Sequence, residues 1–201
     1  KGRPYLPKSF KDDNHIEEIQ GVYVPFWMFD GKASGEASYK ATTSKVYEKG
    51  DEEITETRHY EVSRAGSIGF EKIPVDASSK MPDDHMDSIE PYDYSGLKEF
   101  STAYLPGFLA DKYDVSVKDS QKRADTRCAS TLEDALRGTV TGYDSCTLEH
   151  KQIDLKRGKV HYALLPVWML HTKWNGQDFL FAMNGQTGRM VGDLPVDRKR
   201  F

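Results

Sequence analysis

Cysteine is scarce in this sequence, which contains only Cys128 and Cys146 among its 201 residues. A small disulfide scaffold uses more cysteines, and a zinc knuckle uses a paired Cys-x-x-Cys, so the sequence excludes both classes. The two cysteines lie 18 positions apart, and we expect them to be free thiols in a reducing compartment.

Long apolar runs are also missing. No stretch approaches the ~18 apolar residues that a membrane-spanning helix requires, and the N-terminus has no signal-peptide pattern. Because the chain begins at Lys1 instead of Met, we expect it to be part of a longer protein. The expected location is the cytoplasm, at the inner face of a membrane if a missing C-terminal segment provides an anchor.

The sequence lacks an excess of basic residues. Its formal net charge is −4 at pH 7, whereas a protein that coats nucleic acid needs a clustered basic surface. The one basic cluster, at residues 198–200, fits either a solvated tail or the cytoplasmic flank of a membrane helix. We therefore predict no nucleic-acid binding by this chain alone, and membrane association only through a missing C-terminal segment.

The sequence does contain enough apolar and aromatic material for a core. Hydrophobic residues make up 37% of the chain and charged residues 30%, which is typical of a folded domain and too apolar for a disordered one. Eleven Tyr, nine Phe and three Trp supply large side chains for packing between layers. A chain of this length can bury a substantial core.

The pattern of turns and periodicities predicts an α+β fold. It consists of two related antiparallel β units, with one main helix and short helices packed on them. We expect one compact domain. Its parts are an N-terminal arm (1–20), a first β unit (21–76), a loop and helical segment (77–138), and a second β unit (139–201) that ends in the basic tail.

Local signals place individual elements within this plan. In the first β unit, a strand over 22–29 is expected to turn near 31–35 into a second strand over 36–47. The clearest helix covers 117–137, where apolar residues recur at 3.6-residue spacing, with a break near Ser130 as the alternative. The segment 94–104 indicates another short helix. Gly-containing dipeptides at 50–51, 175–176 and 184–185 indicate tight turns between strands.

The most informative feature is an internal match at a fixed offset of 141 residues. Residues 24–41 align with 165–182 without a gap, and six of the eighteen pairs are identical. Self-similarity of this kind is typical of duplicated units, so we predict two strand–turn–strand units about a pseudo-twofold axis. The identical pairs include Pro25 with Pro166 and Trp27 with Trp168.

We expect these prolines and tryptophans to be structural. Proline cannot donate a hydrogen bond to a neighbouring strand, so a Pro-x-Trp sequence suits a strand start, an edge or a bulge. The tryptophan then covers an end of the core. The alternative is that Trp27 and Trp168 form the aromatic wall of a ligand site, although nothing nearby in the sequence requires one.

Three motifs resemble an uncharacterised bacterial family. They are residues 21–30 (Gly-Val-Tyr-Val-Pro-Phe-Trp-Met-Phe-Asp), 164–168 (Leu-Leu-Pro-Val-Trp) and 184–188 (Asn-Gly-Gln-Thr-Gly). Members of that family carry an N-terminal zinc ribbon, then a domain like this one, and often a membrane helix. They are frequently named primosomal helicase-like proteins. The resemblance covers most of the chain and implies a domain placed between a zinc ribbon and a membrane anchor.

The motifs that carry this resemblance are architectural. The cysteines of a zinc ribbon are absent here, and so is the Gly-x-x-x-x-Gly-Lys-Ser/Thr phosphate loop of a helicase. Residues 182–191 also resemble the strand–Thr-Gly–strand ending of PepSY-type domains. The resemblance therefore gives the helicase name no support.

The acidic segment 83–94 supplies the candidate binding residues, which are Asp84, His85, Tyr92 and Tyr94. Two interpretations are open. The aromatic side chains can pack against the domain, as large apolar groups usually do. Alternatively, the segment is a loop that docks a partner, because functional contacts concentrate on loops.

A metal-assisted hydrolase that uses His59, Asp84 and His85 is the enzymatic alternative, because imidazole and carboxylate groups bind metals and transfer protons. Cys146 and His150 would lie about 13 Å apart on a strand, too far for a nucleophile and its base. We predict no catalytic residue, no metal site and no cofactor. The expected function is a non-catalytic binding or scaffolding domain with an unidentified protein partner. Nucleic-acid association through the missing zinc ribbon is a third hypothesis.

Overall fold

The computed structural model describes residues 16–174 and 176–193. Most of the predicted arm and the whole basic cluster at 198–200 lie outside these residues. The described elements are β1 (Ile16–Lys49), β2 (Glu52–Asp76), α1 (Asp83–Ser88), 3₁₀ turns at Tyr94–Gly96 and Thr102–Tyr104, β3 (Leu109–Ala110), α2 (Val117–Gly138), β4 (Ser145–Trp174), β5 (Gln177–Asn184) and β6 (Met190–Gly192).

These strands form one sheet with the order β2-β1-β4-β5-β6, and β3 pairs with β1 outside this path. A two-residue turn at Gly50 and Asp51 joins β1 to β2, and Gly50 has a φ of 68°, as tight hairpins require. β4 pairs antiparallel with β5 over residues 167–174 and 177–184. β5 and β6 also pair antiparallel.

The predicted α+β class is wrong, because the fold is predominantly an antiparallel sheet with one main helix. Strands contain more than half of the described residues. The segment 94–104, expected to be helical, forms only the two 3₁₀ turns. Helices shorter than ~12 residues are marginal in water without a packed apolar face, and the apolar side chains Leu97, Phe100 and Tyr104 of this segment are exposed instead of packed.

The predicted turn near 31–35 is also wrong, because β1 continues through it. The glycines there permit a close approach of β4 instead of a change of direction. A Cβ on Gly31 would lie 3.1 Å from the carbonyl oxygen of Lys156, and a Cβ on Gly158 would lie 2.9 Å from that of Asp30.

The two copies of the internal repeat therefore fold differently. In the second copy, Gly176 has a φ of 74° and lies in the turn from β4 to β5. The corresponding Gly35 lies inside β1. The prediction of two related β units about a pseudo-twofold axis is wrong, because only one copy turns.

The chain forms two compact units. Among the described residues, unit 1 contains 16–27, 75–120 and 162–193 without 175, and unit 2 contains Met28–Pro74 and Gln121–His161. The four-part division of the chain stays a prediction.

The core of unit 2 forms where α2 packs on β1. Helix α2 is continuous, which confirms the predicted helix without the break near Ser130. Ser116 Oγ accepts a hydrogen bond from the backbone N–H of Asp119 at 3.2 Å, as expected of a helix cap. Neither helix in the described part of the chain is long and apolar enough to span a membrane. The buried core residues are Ala33, Ala37, Tyr39, Ala41, Val62, Leu132, Leu136 and Val140.

The core of unit 1 uses alternate residues of β1. Side chains at 22, 24 and 26 fall on one face of the strand and are buried, whereas Tyr23 and Trp27 lie on the opposite face and are half-buried. Buried residues of this unit include Val22, Val24, Phe26, Met86, Ile89, Leu165, Val167 and Ala182.

Candidate functional site

The segment between β2 and α2 in unit 1 is attached to β1 by backbone hydrogen bonds. The N–H of Asp111 donates to the carbonyl of Tyr23 at 3.0 Å, directly after the parallel pairing of β3 with β1. The N–H of Ala77 donates to the carbonyl of Pro25 at 2.8 Å. These bonds fix the position of the aromatic side chains that the segment carries.

Polar side chains after β2 brace the same segment. Ser78 Oγ and Lys80 Nζ donate to the two carboxylate oxygens of Asp111, at 2.5 and 2.6 Å. The backbone N–H and Oγ of Ser79 donate to the carboxylate of Asp114, at 2.7 and 2.6 Å. The hydrogen bonds from Ser79 hold the pKa of Asp114 below its usual range, so this carboxylate is ionised at neutral pH.

Three aromatic rings meet where this segment contacts β1 and β4, and we call Trp27, Tyr113 and Tyr162 the aromatic trio. The ring centroids of Trp27 lie 5.1 Å from Tyr113 and 5.0 Å from Tyr162, and the two tyrosines lie 5.8 Å apart. The Nε1–H of Trp27 donates to the carbonyl of Val115 at 3.0 Å. Each tyrosine remains 45% exposed, so the trio is an ordered aromatic surface.

Trp168 belongs to a second aromatic contact of unit 1. The ring of Phe108 lies 5.1 Å from that of Tyr23 and 5.2 Å from that of Trp168. A Cβ on Gly21 would lie 2.6 Å from the Phe108 ring, so a glycine is needed beside it. Trp27 and Trp168 thus both pack against aromatic residues of the segment between β2 and α2.

The two repeated prolines, Pro25 and Pro166, lie inside strands of unit 1. Each accepts a backbone hydrogen bond at its carbonyl, from Ala77 and from Gly185 respectively, both at 2.8 Å. The carbonyl of each proline therefore holds a neighbouring loop, although proline has no backbone N–H to donate. The space-filling role of the repeated residues stays a prediction, since Trp27 also contributes to an exposed surface.

The segment between β2 and α2 also carries exposed apolar side chains, and we call Leu97, Phe100, Tyr104 and Leu109 the apolar row. Phe100 is 67% exposed and Leu109 is 55% exposed. Lys98 Nζ lies 5.9 Å from the ring centroid of Tyr104. Single exposed apolar residues are normal, but several along one segment indicate an interaction surface.

The candidate residues Asp84 and His85 occupy different environments. Asp84 is exposed, and its Oδ1 accepts a hydrogen bond from the backbone N–H of His85 at 3.0 Å. His85 is buried on α1, with Nε2 3.7 Å from Oδ1 of Asp193. Its Nδ1 has no hydrogen-bond partner among the residues that the structure describes. The two side chains do not form a common site.

Tyr92 and Tyr94 also differ. Tyr92 is buried, with its ring 6.1 Å from that of Phe26 and its hydroxyl 3.5 Å from the carbonyl oxygen of Pro166. Burial raises the pKa of Tyr92. Tyr94 is half-buried at the start of a 3₁₀ turn. This environment favours the packing interpretation for Tyr92, and a partner-binding role for the four candidates stays a prediction.

The Asn-Gly loop after β5 holds the segment that follows α1. The side-chain amide of Asn184 donates to the carbonyls of Ile89 and Pro91, at 3.0 and 3.1 Å. Its Oδ1 accepts from the backbone N–H groups of Gln186 and Thr187, at 2.8 and 3.0 Å. Asn184 is only 1% exposed, so this loop has an anchoring role in addition to its predicted turn.

Unit 2 contains a polar site that the sequence analysis missed. Asp30 Oδ1 accepts a hydrogen bond from the backbone N–H of Lys72 at 2.9 Å, and its Oδ2 lies 3.0 Å from Nε2 of His161. The bond from Lys72, followed by that from His161, lowers the pKa of Asp30. Lys72 has a φ of 54°, which is uncommon for a residue other than glycine. The sequence signal that could have revealed this site is Asp30, which directly follows the apolar run at 22–29.

A shallow cleft lies beside this site, lined by α2, β1 and β4 residues of unit 2. Asp125 in the cleft accepts hydrogen bonds from Gln121 at 2.9 Å and from Arg157 at 2.6 Å. Cys128 also lines the cleft, and burial raises the pKa of its thiol, which favours the unreactive protonated form. The pairing of Asp125 with Arg157 is typical of a structural network.

The residues of the hydrolase hypothesis belong to different units. His59 is exposed on β2 in unit 2, whereas Asp84 and His85 belong to unit 1. Within residues 16–174 and 176–193, no group of three or more His, Cys, Asp or Glu side chains could hold a metal ion. Cys146 packs against the core of unit 2, and His150 is exposed on the same strand. The hydrolase hypothesis and the expected absence of catalysis both stay predictions.

Comparison with known proteins finds an uncharacterized relative, YdjG of Bacillus subtilis (strain 168), to which the chain is 41% identical over 192 residues. The match covers 96% of the chain but 56% of YdjG, so the chain spans little more than half the length of this relative. No family model matches the chain, and no solved structure matches it. Similarity to an uncharacterised bacterial protein is thus confirmed, whereas the zinc ribbon and the PepSY-type ending stay predictions.

Proposed function

We propose that this chain is a non-catalytic binding domain, with a scaffolding role, that holds a protein partner on the apolar row of unit 1. The observation that carries the proposal is the exposure of large apolar side chains, above all the 67% exposure of Phe100, on a segment attached to β1. Burying one such side chain contributes about 1.5–3 kcal/mol, so a partner that covers the row gains substantial free energy.

The attachment of the segment supports binding with little ordering cost. Ser101 Oγ accepts a hydrogen bond from the backbone N–H of Ala103 at 3.3 Å, which caps the 3₁₀ turn that leads to Tyr104. Directly after the apolar row in the chain, the backbone N–H of Asp111 donates a hydrogen bond to β1, and its carboxylate accepts one from Lys80. A surface ordered before binding loses less conformational entropy when the partner docks.

The charge around the apolar row favours a protein over a membrane surface. Residues 97–114 contain two lysines and three acidic residues. Anionic membranes attract clusters of about four to eight basic residues, and this segment has no such excess. A membrane link, as the family resemblance implies, would therefore come from a different part of the protein.

Site-specific photo-crosslinking tests this proposal. Benzoyl-phenylalanine is placed at position 100 in the host cell and, as a control, at position 47, because Tyr47 is 47% exposed in unit 2. We expect one discrete protein adduct from position 100 and none from position 47.

The protein identified in that adduct then provides a binding measurement. Phe100→Ser is expected to weaken its affinity for the chain at least about 10-fold, as loss of a central aromatic contact does. Tyr47→Ser is expected to leave the affinity unchanged, and both variants should keep the wild-type melting temperature because both positions are exposed. An identical adduct pattern at the two positions, or full affinity in Phe100→Ser, contradicts the proposal.

A further inference from the structure

The outer edge of β2 in unit 2 has no strand beside it in the described part of the chain. β2 stands first in the sheet order, so β1 is its one neighbour among the described strands. Residues 53–65 contain neither Lys nor Pro, which are the residues that most often protect a free edge. Such an edge presents backbone N–H and C=O groups that can pair with a further strand. Strand addition is therefore the interaction that this edge favours.

The turn between β1 and β2 determines which backbone groups lie on the outer edge. The two-residue turn at 50–51 places the residues on either side of it in a hydrogen-bonded pair, and Ser44 Oγ lies 3.1 Å from Thr57 Oγ1 in the same register. Even-numbered residues of β2 therefore direct their backbone groups at β1, and odd-numbered residues direct theirs outward. The carbonyl of Ser63 agrees with this assignment, because it accepts a hydrogen bond from the guanidinium of Arg64 at 2.9 Å.

The side chains of β2 are complementary to those of a second β2 that runs antiparallel about a twofold axis at Tyr60. In this register Glu56 lies opposite Arg64 of the second copy, and His59 lies opposite Glu61 of the second copy. The twofold axis repeats each pair, and it places Tyr60 opposite the same residue of the second copy, as in favourable aromatic cross-strand pairs. Odd-numbered residues lie opposite odd-numbered residues, so the outward backbone groups of the two strands face each other.

Neighbouring registers lack this complementarity. A displacement of two residues in one direction places Glu61 opposite Glu61 of the second copy and Arg58 opposite Arg64. The same displacement in the other direction places His59 opposite His59 and forms no ion pair. Like charges directly opposite each other destabilise a strand pair. A displacement of one residue sets outward backbone groups against inward ones, which removes the hydrogen bonds. The charges therefore select a single register.

Pairing also provides new partners for groups that now bond within one copy. The guanidinium of Arg64 donates to Ser63 and, at 3.1 Å, to the hydroxyl of Thr139. In the paired register Thr57 of the second copy lies opposite Ser63, so its backbone N–H takes over the Ser63 carbonyl. This exchange releases one guanidinium N–H of Arg64 for Glu56 of the second copy, while the bond to Thr139 is kept.

The existing partners of the acidic residues are weak competitors. Glu56 accepts a hydrogen bond from Arg58 at 2.8 Å, and 44% of its side chain is exposed. Glu61 interacts with Lys40, whose stronger partner is Glu149. Exposed ion pairs of this kind contribute little to stability, so they do not oppose a better-ordered pairing across two strands.

We propose that unit 2 self-associates through antiparallel pairing of β2 with β2 of a second copy of this chain, with the twofold axis at Tyr60. The partner is identified by the self-complementary charges and by the matching of outward backbone groups. The contact uses no residue of the apolar row, so it is independent of the function proposed above.

Sedimentation velocity of the full chain over a range of concentrations tests the proposal. We expect reversible dimerisation of the unmodified chain. Glu56→Arg places like charges opposite each other at two sites and should weaken dimerisation at least about 10-fold. Glu71→Arg is the matched control, because it makes the same charge change at an exposed position of β2 beyond the paired residues. A monomeric unmodified chain, or equal dimerisation of Glu56→Arg and wild type, overturns the proposal.

Mixing two variants tests whether the charged residues meet directly. Arg64→Glu should also dimerise weakly, because it places a like charge opposite Glu56. When the Glu56→Arg and Arg64→Glu chains are mixed in equal amounts, opposite charges face each other again, so a heterodimer of about wild-type affinity should form. Native mass spectrometry identifies it by its mass. A mixture of folded variants that stays monomeric refutes the proposed register.

A third variant keeps the test decisive if Arg64→Glu does not fold. Ser63→Pro removes one outward N–H and leaves the bonds to β1 intact, a substitution that an edge strand tolerates. It should abolish dimerisation with little change in melting temperature. Dimerisation of Ser63→Pro at wild-type strength contradicts pairing through this edge. None of these outcomes bears on the crosslink at position 100, which lies in unit 1.

Discussion

Replacing Asn184 by aspartate tests the anchoring role of the loop after β5. The substitution preserves shape and keeps the acceptor that receives the N–H groups of Gln186 and Thr187. It removes the two donors that reach Ile89 and Pro91, and it places a carboxylate oxygen about 3 Å from both carbonyls. Because Asn184 is 1% exposed, water cannot replace the lost bonds.

The expected loss of stability is about 3 kcal/mol at pH 7. A buried polar group left without its partner costs about 1–3 kcal/mol, and here two carbonyls lose a donor while a charge is buried. With a urea dependence of about 2 kcal/mol per molar, the unfolding midpoint should fall by about 1.5 M. Circular dichroism and tryptophan fluorescence in urea measure this shift.

A pH series distinguishes the burial of a charged carboxylate from nonspecific destabilisation. Burial beside two carbonyls raises the pKa of the new carboxyl group above its unfolded value of about 3.9. The destabilisation of Asn184→Asp is therefore complete above the folded pKa and decreases as the pH falls through it, relative to wild type. Asn184→Ala, which has no titrating group, should show a loss that does not change with pH. Equal pH dependence of the two variants, or an unshifted midpoint in Asn184→Asp, would refute the reasoning.

Three further outcomes follow from unit 2. Gly158→Ala should lose about 1–3 kcal/mol in urea unfolding, because its Cβ would lie 2.9 Å from the carbonyl oxygen of Asp30. Gly69→Ala is the control and should show no such loss, because a Cβ on Gly69 would have no neighbouring atom within 4 Å. Leu132→Ala should lose about 2–5 kcal/mol in the same assay, because the Leu132 side chain of α2 is buried in the core of unit 2. The lowered pKa of Asp30 predicts that its contribution is present above the unfolded pKa of about 3.9 and is lost as the pH falls through the folded value. Acid unfolding of Asp30→Asn should therefore be less steep than that of wild type.

The elements that the sequence predicted correctly have local signals. Helix α2 has an apolar stripe, a Ser116 cap and enough length to be specified by its own residues. The hairpin at Gly50 and the start of β5 after Gly176 depend on glycines that adopt positive φ within a tight turn. Each of these signals is contained in a few consecutive residues.

The errors arise where the cause is distant in sequence. Gly31 looked like a turn residue, yet its role is set by the backbone of Lys156, 125 positions away. The pairing of Asp30 with His161 is equally remote. A glycine is compatible with either a turn or a close approach of backbones, and only the neighbouring strand decides between them.

The two repeated tryptophans match in sequence but have different ring partners in the structure. Trp168 contacts Phe108, whose own position depends on Gly21. Trp27 contacts two tyrosines that remain half-exposed. Trp27 and Trp168 therefore share one structural role, because both pack the segment between β2 and α2 against the sheet. The two tyrosines beside Trp27 are exposed, whereas Tyr23 and Phe108 beside Trp168 are half-buried. The difference in exposure between the two aromatic contacts therefore follows from their neighbours, and it cannot be read from the repeat.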